Sequence, residues 1–154
     1  MDRIGLIVNP LAGIGGRVGL KGSDGIETQR RALELGAIPE SIHRASLSLI
    51  QLRQTESTLE VVTFPCEMGE TSAREAGFIP KVIGETGAST TAEDTRRAGQ
   101  EMSALGVDLI LFAGGDGTAR DVCSTMPEQF PCLGIPAGVK IYSAVYATNP
   151  KHAG

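Results

Sequence analysis

The stretch Asp108-Leu109-Ile110-Leu111-Phe112-Ala113-Gly114-Gly115-Asp116-Gly117-Thr118 decides the fold. From Asp108 to Ala113 the residues are almost all apolar and are bounded by turn formers, the pattern of a strand covered on both faces. Three glycines then fall within four positions, 114 to 117. Residues 119–125 read as helical, so this stretch is a strand delivering the chain through a glycine turn into a helix.

The same alternation extends on both sides. Upstream, Thr91-Ala92-Glu93-Asp94 forms a capping box with Asp in place of the usual Glu, and Ala98, Met102 and Leu105 continue an apolar helical face up to Gly106. Arg3 to Val8 is a short apolar run ended by Asn9-Pro10, where proline's missing N–H closes a central strand. From Leu11 to Gly25, six glycines in fifteen residues predict a loop. Glu27 to Leu35 reads as a helix closed by Gly36, and Pro39 opens another on which Ile42, Ala45, Leu49 and Leu52 recur every three or four residues. Leu59 to Phe64 and Lys81 to Ile83 predict strands, with a helix over Gly69 to Ala76 closed by Gly77. Cys132 to Ile135 gives a further strand, ending at Pro136-Ala137-Gly138. The predicted fold is α/β, a doubly wound and mostly parallel sheet. The tail from Asn149 to Gly154 completes no element by this reading, and the chain is expected to be truncated.

Composition agrees. Of the 154 residues 41% are hydrophobic but only 4% aromatic, with no Trp, so the core rests on Ile, Leu, Val and Ala. Fourteen Lys and Arg face 18 Asp and Glu, a net charge of -4, without a basic stripe, so no nucleic-acid partner is expected. No apolar run reaches the roughly 18 to 20 residues of a membrane span, and the start lacks the order of a signal peptide. A soluble, cytoplasmic protein with no membrane partner is expected. Cys66, Cys123 and Cys132 contain no C-x-x-C pair and imply neither a disulfide framework nor a zinc site.

In an open parallel sheet, ligands bind beyond the carboxyl ends of the strands. Glycine-rich or Pro-Gly turns stand there after Val8, Ala113 and Ile135. The turn Gly114, Gly115, Asp116, Gly117, Thr118 lets backbone N–H groups approach phosphate oxygens unobstructed by Cβ atoms, and the positive end of the following helix strengthens that cradle. Asp116 is a carboxylate in an anion-friendly turn. It is expected either to accept the proton of an attacking hydroxyl or to hold Mg²⁺ beside the phosphates. A lone Asp-Gly would read as a helix cap, and the complete five-residue turn after a buried strand shifts the reading toward chemistry. The loop Asn9-Pro10-Leu11-Ala12-Gly13-Ile14-Gly15-Gly16-Arg17 is a second candidate cradle, with Asn9, Gly13, Gly15 and Gly16 lining it and Arg17 as a clamp; the alternative is a plain connector. It matches neither the P-loop nor G-x-G-x-x-G. Lys21 and Asp24 read as solvated loop charges, Arg120 as a possible phosphate contact, Asp121 as favouring the helix N-terminus, and Thr91 and Asp94 as caps. His43 and His152 have no catalytic role.

Taken together, the chain resembles the superfamily of ATP-NAD kinases, diacylglycerol and sphingosine kinases and, more distantly, phosphofructokinases, whose shared mark G-G-D-G-T is matched in full by residues 114 to 118. Asn9-Pro10-Leu11-Ala12-Gly13 looks like the N-P-x-x-G loop of the lipid kinases and of one branch of predicted ATP-NAD kinases, and the similarity to that branch runs from Ile7 to Gly22. The resemblance implies that 1–148 is an N-terminal nucleotide-binding α/β domain, with 149–154 beginning the linker to an all-β domain that closes the nucleotide site, and that Asp116 is the base. It implies a kinase using ATP, or polyphosphate, with Mg²⁺ to phosphorylate a hydroxyl of NAD or a related small acceptor. It implies a homo-oligomer in full-length form and a fragment inactive by itself. The Asn-Glu or Asn-Asp pair that helps ATP-NAD kinases bind the dinucleotide does not occur here. Lipid kinases carry P-x-G-T-x-N, whereas this chain has Pro136-Ala137-Gly138-Val139-Lys140-Ile141, which argues against a lipid acceptor. A non-catalytic nucleotide sensor is the alternative from another class.

Overall fold

The computed structural model describes residues 2–20 and 25–154; Lys21 and Asp24, and the side chain of Arg17, lie outside the described set. Five strands, β1 (Arg3–Val8), β2 (Glu60–Thr63), β3 (Lys81–Val82), β4 (Leu109–Gly114) and β5 (Cys132–Pro136), form one sheet in the order β3-β2-β1-β4-β5. Every pairing is parallel. The doubly wound α/β expectation holds, and here the sheet is parallel throughout rather than mostly so.

Strand alternation builds two cores. Ile4, Leu6 and Val8 of β1 and Leu111 and Ala113 of β4 face α3 (Ser41–Thr55), whose Ala45, Leu49 and Leu52 form the expected stripe, and α4 (Glu70–Glu75). On the other face, Ile7, Ile110 and Phe112 pack against Ala98 and Met102 of α5 (Ala92–Leu105) and Ala119 and Val122 of α6 (Asp116–Cys123). Each fully buried Val, Leu, Ile, Phe or Met among them contributes about 1.5–3 kcal/mol. The Thr91–Asp94 capping box is present: the Asp94 N–H donates to Thr91 Oγ1 and the Thr91 N–H to Asp94 Oδ2, which starts α5 with about 1 kcal/mol of support.

Three local expectations are corrected. The first loop contains a helical turn, α1 (Ile14–Arg17), because Ile14 is fully buried against Ala32 and Ala37 at α2 (Ile26–Glu34). The helix after the glycine turn begins at Asp116, two to three residues before the expected start near Thr118 or Ala119, so Asp116, Gly117 and Thr118 form its first turn. The tail is not elementless: Asn149 caps α7 (Pro150–Ala153), its Oδ1 accepting the His152 N–H, and Ala153 is buried against the sheet and α3. The Ser48 hydroxyl donates to the Pro150 carbonyl. Asn followed by Pro is an N-cap and N1 signal that was present in the sequence. No described helix is long and apolar enough to cross a membrane.

Candidate functional site

The chain runs outward from β1 to β3 and returns to β4 beside β1, so the winding direction switches between β1 and β4, where open α/β sheets form their ligand crevice. The two candidate loops meet there. The Asn9 N–H donates to the Ala113 carbonyl at 2.9 Å, and Asn9 Nδ2 donates to Thr118 Oγ1 at 3.1 Å. Thr118 is only 4% exposed, so this bond is a fixed joint between the loops.

Above that joint lies a cleft of about 760 Å³. The N-terminal ends of three helices reach it: Gly25 and Ile26 of α2, Thr91 and Ala92 of α5, and Gly115 and Gly117 of α6. Helix N-termini present N–H groups without intrahelical acceptors and carry a partial positive charge. The Gly117 and Thr118 N–H groups have no acceptor among the described residues; the first bond of α6 runs from Ala119 to the Gly115 carbonyl.

The glycines divide by what a side chain would meet. At Gly117 and Gly16, both lining the cleft, an added Cβ enters open space. At Gly114 it collides with the Thr118 side chain, and at Gly13, which has a φ of +78°, with Val139. Gly115 would bring a Cβ to 3.3 Å from Val139 Cγ2, so Val139 is wedged between the two loops. Gly15 is buried in α1, where its carbonyl accepts from Val18 and Leu20, and it does not line the cleft.

Asp116 is turned away from the main cleft. Its Oδ2 accepts the Tyr142 N–H at 2.9 Å and its Oδ1 the Ser143 N–H at 3.2 Å. It borders a smaller cavity of about 270 Å³, together with Ala119, Arg120, Cys123 and Ser143. A carboxylate offers about four lone-pair sites, so two remain for a proton or a cation.

Arg120 lines both cavities and has no ion-pair partner among the described residues, which makes it a free cation at the site. Asp121 is committed to Arg96 of α5 at 2.8 Å, which also pairs with Glu93, so these cleft residues tie α5 to α6 rather than offering free charge. His152 Nδ1 lies 2.6 Å from Thr148 Oγ1 in the tail. Sequence reading missed Val139 and Lys140 as cleft residues, although the Pro136-Ala137-Gly138 turn after the last strand marked the place.

Cys66 and Cys123 are exposed, whereas burial, aided by the neighbouring Cys123 thiol, pushes the Cys132 thiol up to about 11. At about pH 8, iodoacetamide should therefore modify Cys66 and Cys123 first and leave Cys132 thiol intact, read by timed peptide mapping. The folded chain holds this proton more tightly than the unfolded chain, so the thiol's contribution to stability is lost as pH rises from the usual 9.0 through about 11. Among the described residues no group of three His, Cys, Asp or Glu could hold a metal ion without help from a ligand.

Fold and crevice define an open, doubly wound α/β domain with two glycine loops meeting at the switch point. The family model of the ATP-NAD kinase N-terminal domain matches residues 4–154. The chain belongs to that family. No curated protein matches it. Among solved structures, a Bacillus anthracis str. Sterne protein provisionally described as a diacylglycerol kinase is 20% identical with a TM-score of 0.45, covering 90% of this chain and 33% of that one. A diacylglycerol kinase from the same organism is 22% identical with a TM-score of 0.43, covering 90% of this chain and 31% of that one. The chain thus spans about a third of the length of these structures.

Proposed function

We propose that this chain is the phosphate-binding part of a kinase that transfers a phosphoryl group from ATP or polyphosphate to a hydroxyl of NAD or a related nucleotide-like acceptor. Family membership supports the kinase class. The observation that carries the site is the Asn9–Thr118 joint beneath a cleft lined by Gly117 and Thr118, whose N–H groups have no acceptor among the described residues. Phosphoryl transfer depends on positioning and charge neutralisation, and convergent helix N-termini with Arg120 suit an anionic donor. Asp116 retains lone pairs for the acceptor's proton or for Mg²⁺, an ion commonly held by one or two carboxylates together with substrate phosphates. Bound there, Mg²⁺ would neutralise phosphate charge.

The test is a donor and acceptor screen on the full-length protein, read by mass spectrometry, with ATP or polyphosphate as donor and NAD, other nucleotides or diacylglycerol as acceptor, with and without Mg²⁺. NADP or another phosphorylated nucleotide is the expected product. Phosphorylated diacylglycerol alone would favour the lipid reading, against which Val139 and Ile141 stand where lipid kinases carry Thr and Asn. ATP binding with no product from any acceptor would favour the sensor, a reading to which Asp116's engagement by two backbone amides lends support.

A further inference from the structure

Residues 140–146 form a strap across the back of the glycine turn, held at Tyr142, Ser143, Val145 and Tyr146. Asp116 accepts from the Tyr142 and Ser143 amides. Further on, the Gly134 N–H donates to the Val145 carbonyl at 2.7 Å and the Ala147 N–H to the Gly134 carbonyl at 3.0 Å, so the strap runs beside β5. Between them the Tyr146 hydroxyl donates to the Gly115 carbonyl at 2.5 Å. The Tyr146 ring meets Phe112 edge-on at 5.4 Å and fills the space that a side chain at Gly134 would need. Burial, and then the charge of Asp116, raise the Tyr146 phenol well above its usual value, so it stays a donor at ordinary pH.

The strap's other end is equally constrained, because Val139 is wedged between Gly13 and Gly115. Lys140 therefore leaves a fixed backbone between two pinned points, and its exposed side chain lines the main cleft. Its ammonium has no carboxylate partner among the described residues and rests 5.1 Å from the centre of the exposed Tyr142 ring. An exposed cation–π contact is weak beside a charge-assisted bond to phosphate, so an anion in the cleft would draw the ammonium off the ring.

We propose that Lys140 is a phosphate ligand of the cleft, and that Tyr146 is a positioning residue that acts through it by fastening the strap to the Gly114–Thr118 turn. This rests on the reading that the cleft takes a phosphate chain. The functional turn and its cation are thereby one unit: Gly115 and Asp116 hold the strap, and the strap presents Lys140 to the N–H groups that the same turn exposes.

Calorimetric titration of the chain with inorganic tripolyphosphate, paired with thermal melts, tests it. Lys140→Met should bind about 10-fold or more weakly at unchanged melting temperature and with a shallower salt dependence, while Lys140→Arg should largely restore affinity. Tyr146→Phe, which keeps the ring, should weaken binding severalfold and speed hydrogen exchange at the Tyr142 and Ser143 amides. In the Lys140→Met background it should have little further effect on affinity, because its influence passes through Lys140. Equal binding by wild type and Lys140→Met would overturn the proposal and leave the phosphate reading standing. An undiminished effect of Tyr146→Phe in the Lys140→Met background would overturn the positioning role. If the wild-type chain binds neither tripolyphosphate nor ATP, the phosphate reading itself fails and the role of Lys140 falls with it.

Discussion

Gly114→Val is expected to destabilise the fold severely, whereas Gly117→Val, three residues further on, leaves the fold intact and removes ligand binding. Gly114 is the last residue of β4, buried, and paired with Pro136 of β5. A Cβ there meets Thr118, which cannot swing aside without breaking its bond to Asn9. Overpacking costs about 1–3 kcal/mol, and the lost hydrogen bond adds roughly 0.5–1.5 kcal/mol. Together these should lower the melting temperature by about 5–15 °C in a domain of this size. At Gly117 the added side chain enters open space inside a helix, where glycine and β-branched valine differ in helix propensity by only about a few tenths of a kcal/mol in valine's favour, so the melting temperature should hold. The branched Cβ would instead occupy the cleft beside the unpaired N–H groups, and ATP affinity should fall by more than about 10-fold. Melting curves and titrations on both variants check the pair. Normal affinity in folded Gly117→Val would remove this turn from the site.

In the full-length enzyme, Asp116→Asn should reduce turnover by about 10²-fold or more, in whichever donor and acceptor combination yields product. Asparagine preserves size but not charge, and its NH₂ group cannot accept from an amide. One of the two bonds to Tyr142 and Ser143 is therefore lost as well. Steady-state kinetics distinguish the roles: a base or metal organiser lowers kcat, whereas a residue that only holds the strap raises the donor KM and spares kcat. Unchanged kcat would sink the assignment of Asp116 to the chemistry.

Where local chemistry decides, the sequence was legible. β1 was bounded correctly because an apolar run meets Asn9-Pro10, and β4 within a residue because glycine follows it. Thr91 and Asp94 gave α5 its start through a bond pattern confined to four residues. The start of α6 was not legible, since Asp116-Gly117-Thr118 are poor helix formers in isolation and become helical only because Ala119 and Val122 are buried on the sheet. The same holds for α1, which Ile14 recruits through contacts with Ala32 and Ala37.

By itself the sequence determined the alternation of strand and helix, the two glycine loops, and their place at the carboxyl ends of the strands. These are properties of residues near one another in the chain. The strand order, the Asn9–Thr118 joint, and the strap that fastens Tyr146 to Gly115 were decided only by the tertiary structure. These pairings span 109 and 31 residues, and no spacing rule specifies which distant partner a polar side chain will meet. The division of the glycines has the same origin. Gly114 and Gly117 are the same residue in one motif, and only their packed neighbours make the first a structural necessity and leave the second facing the open cleft.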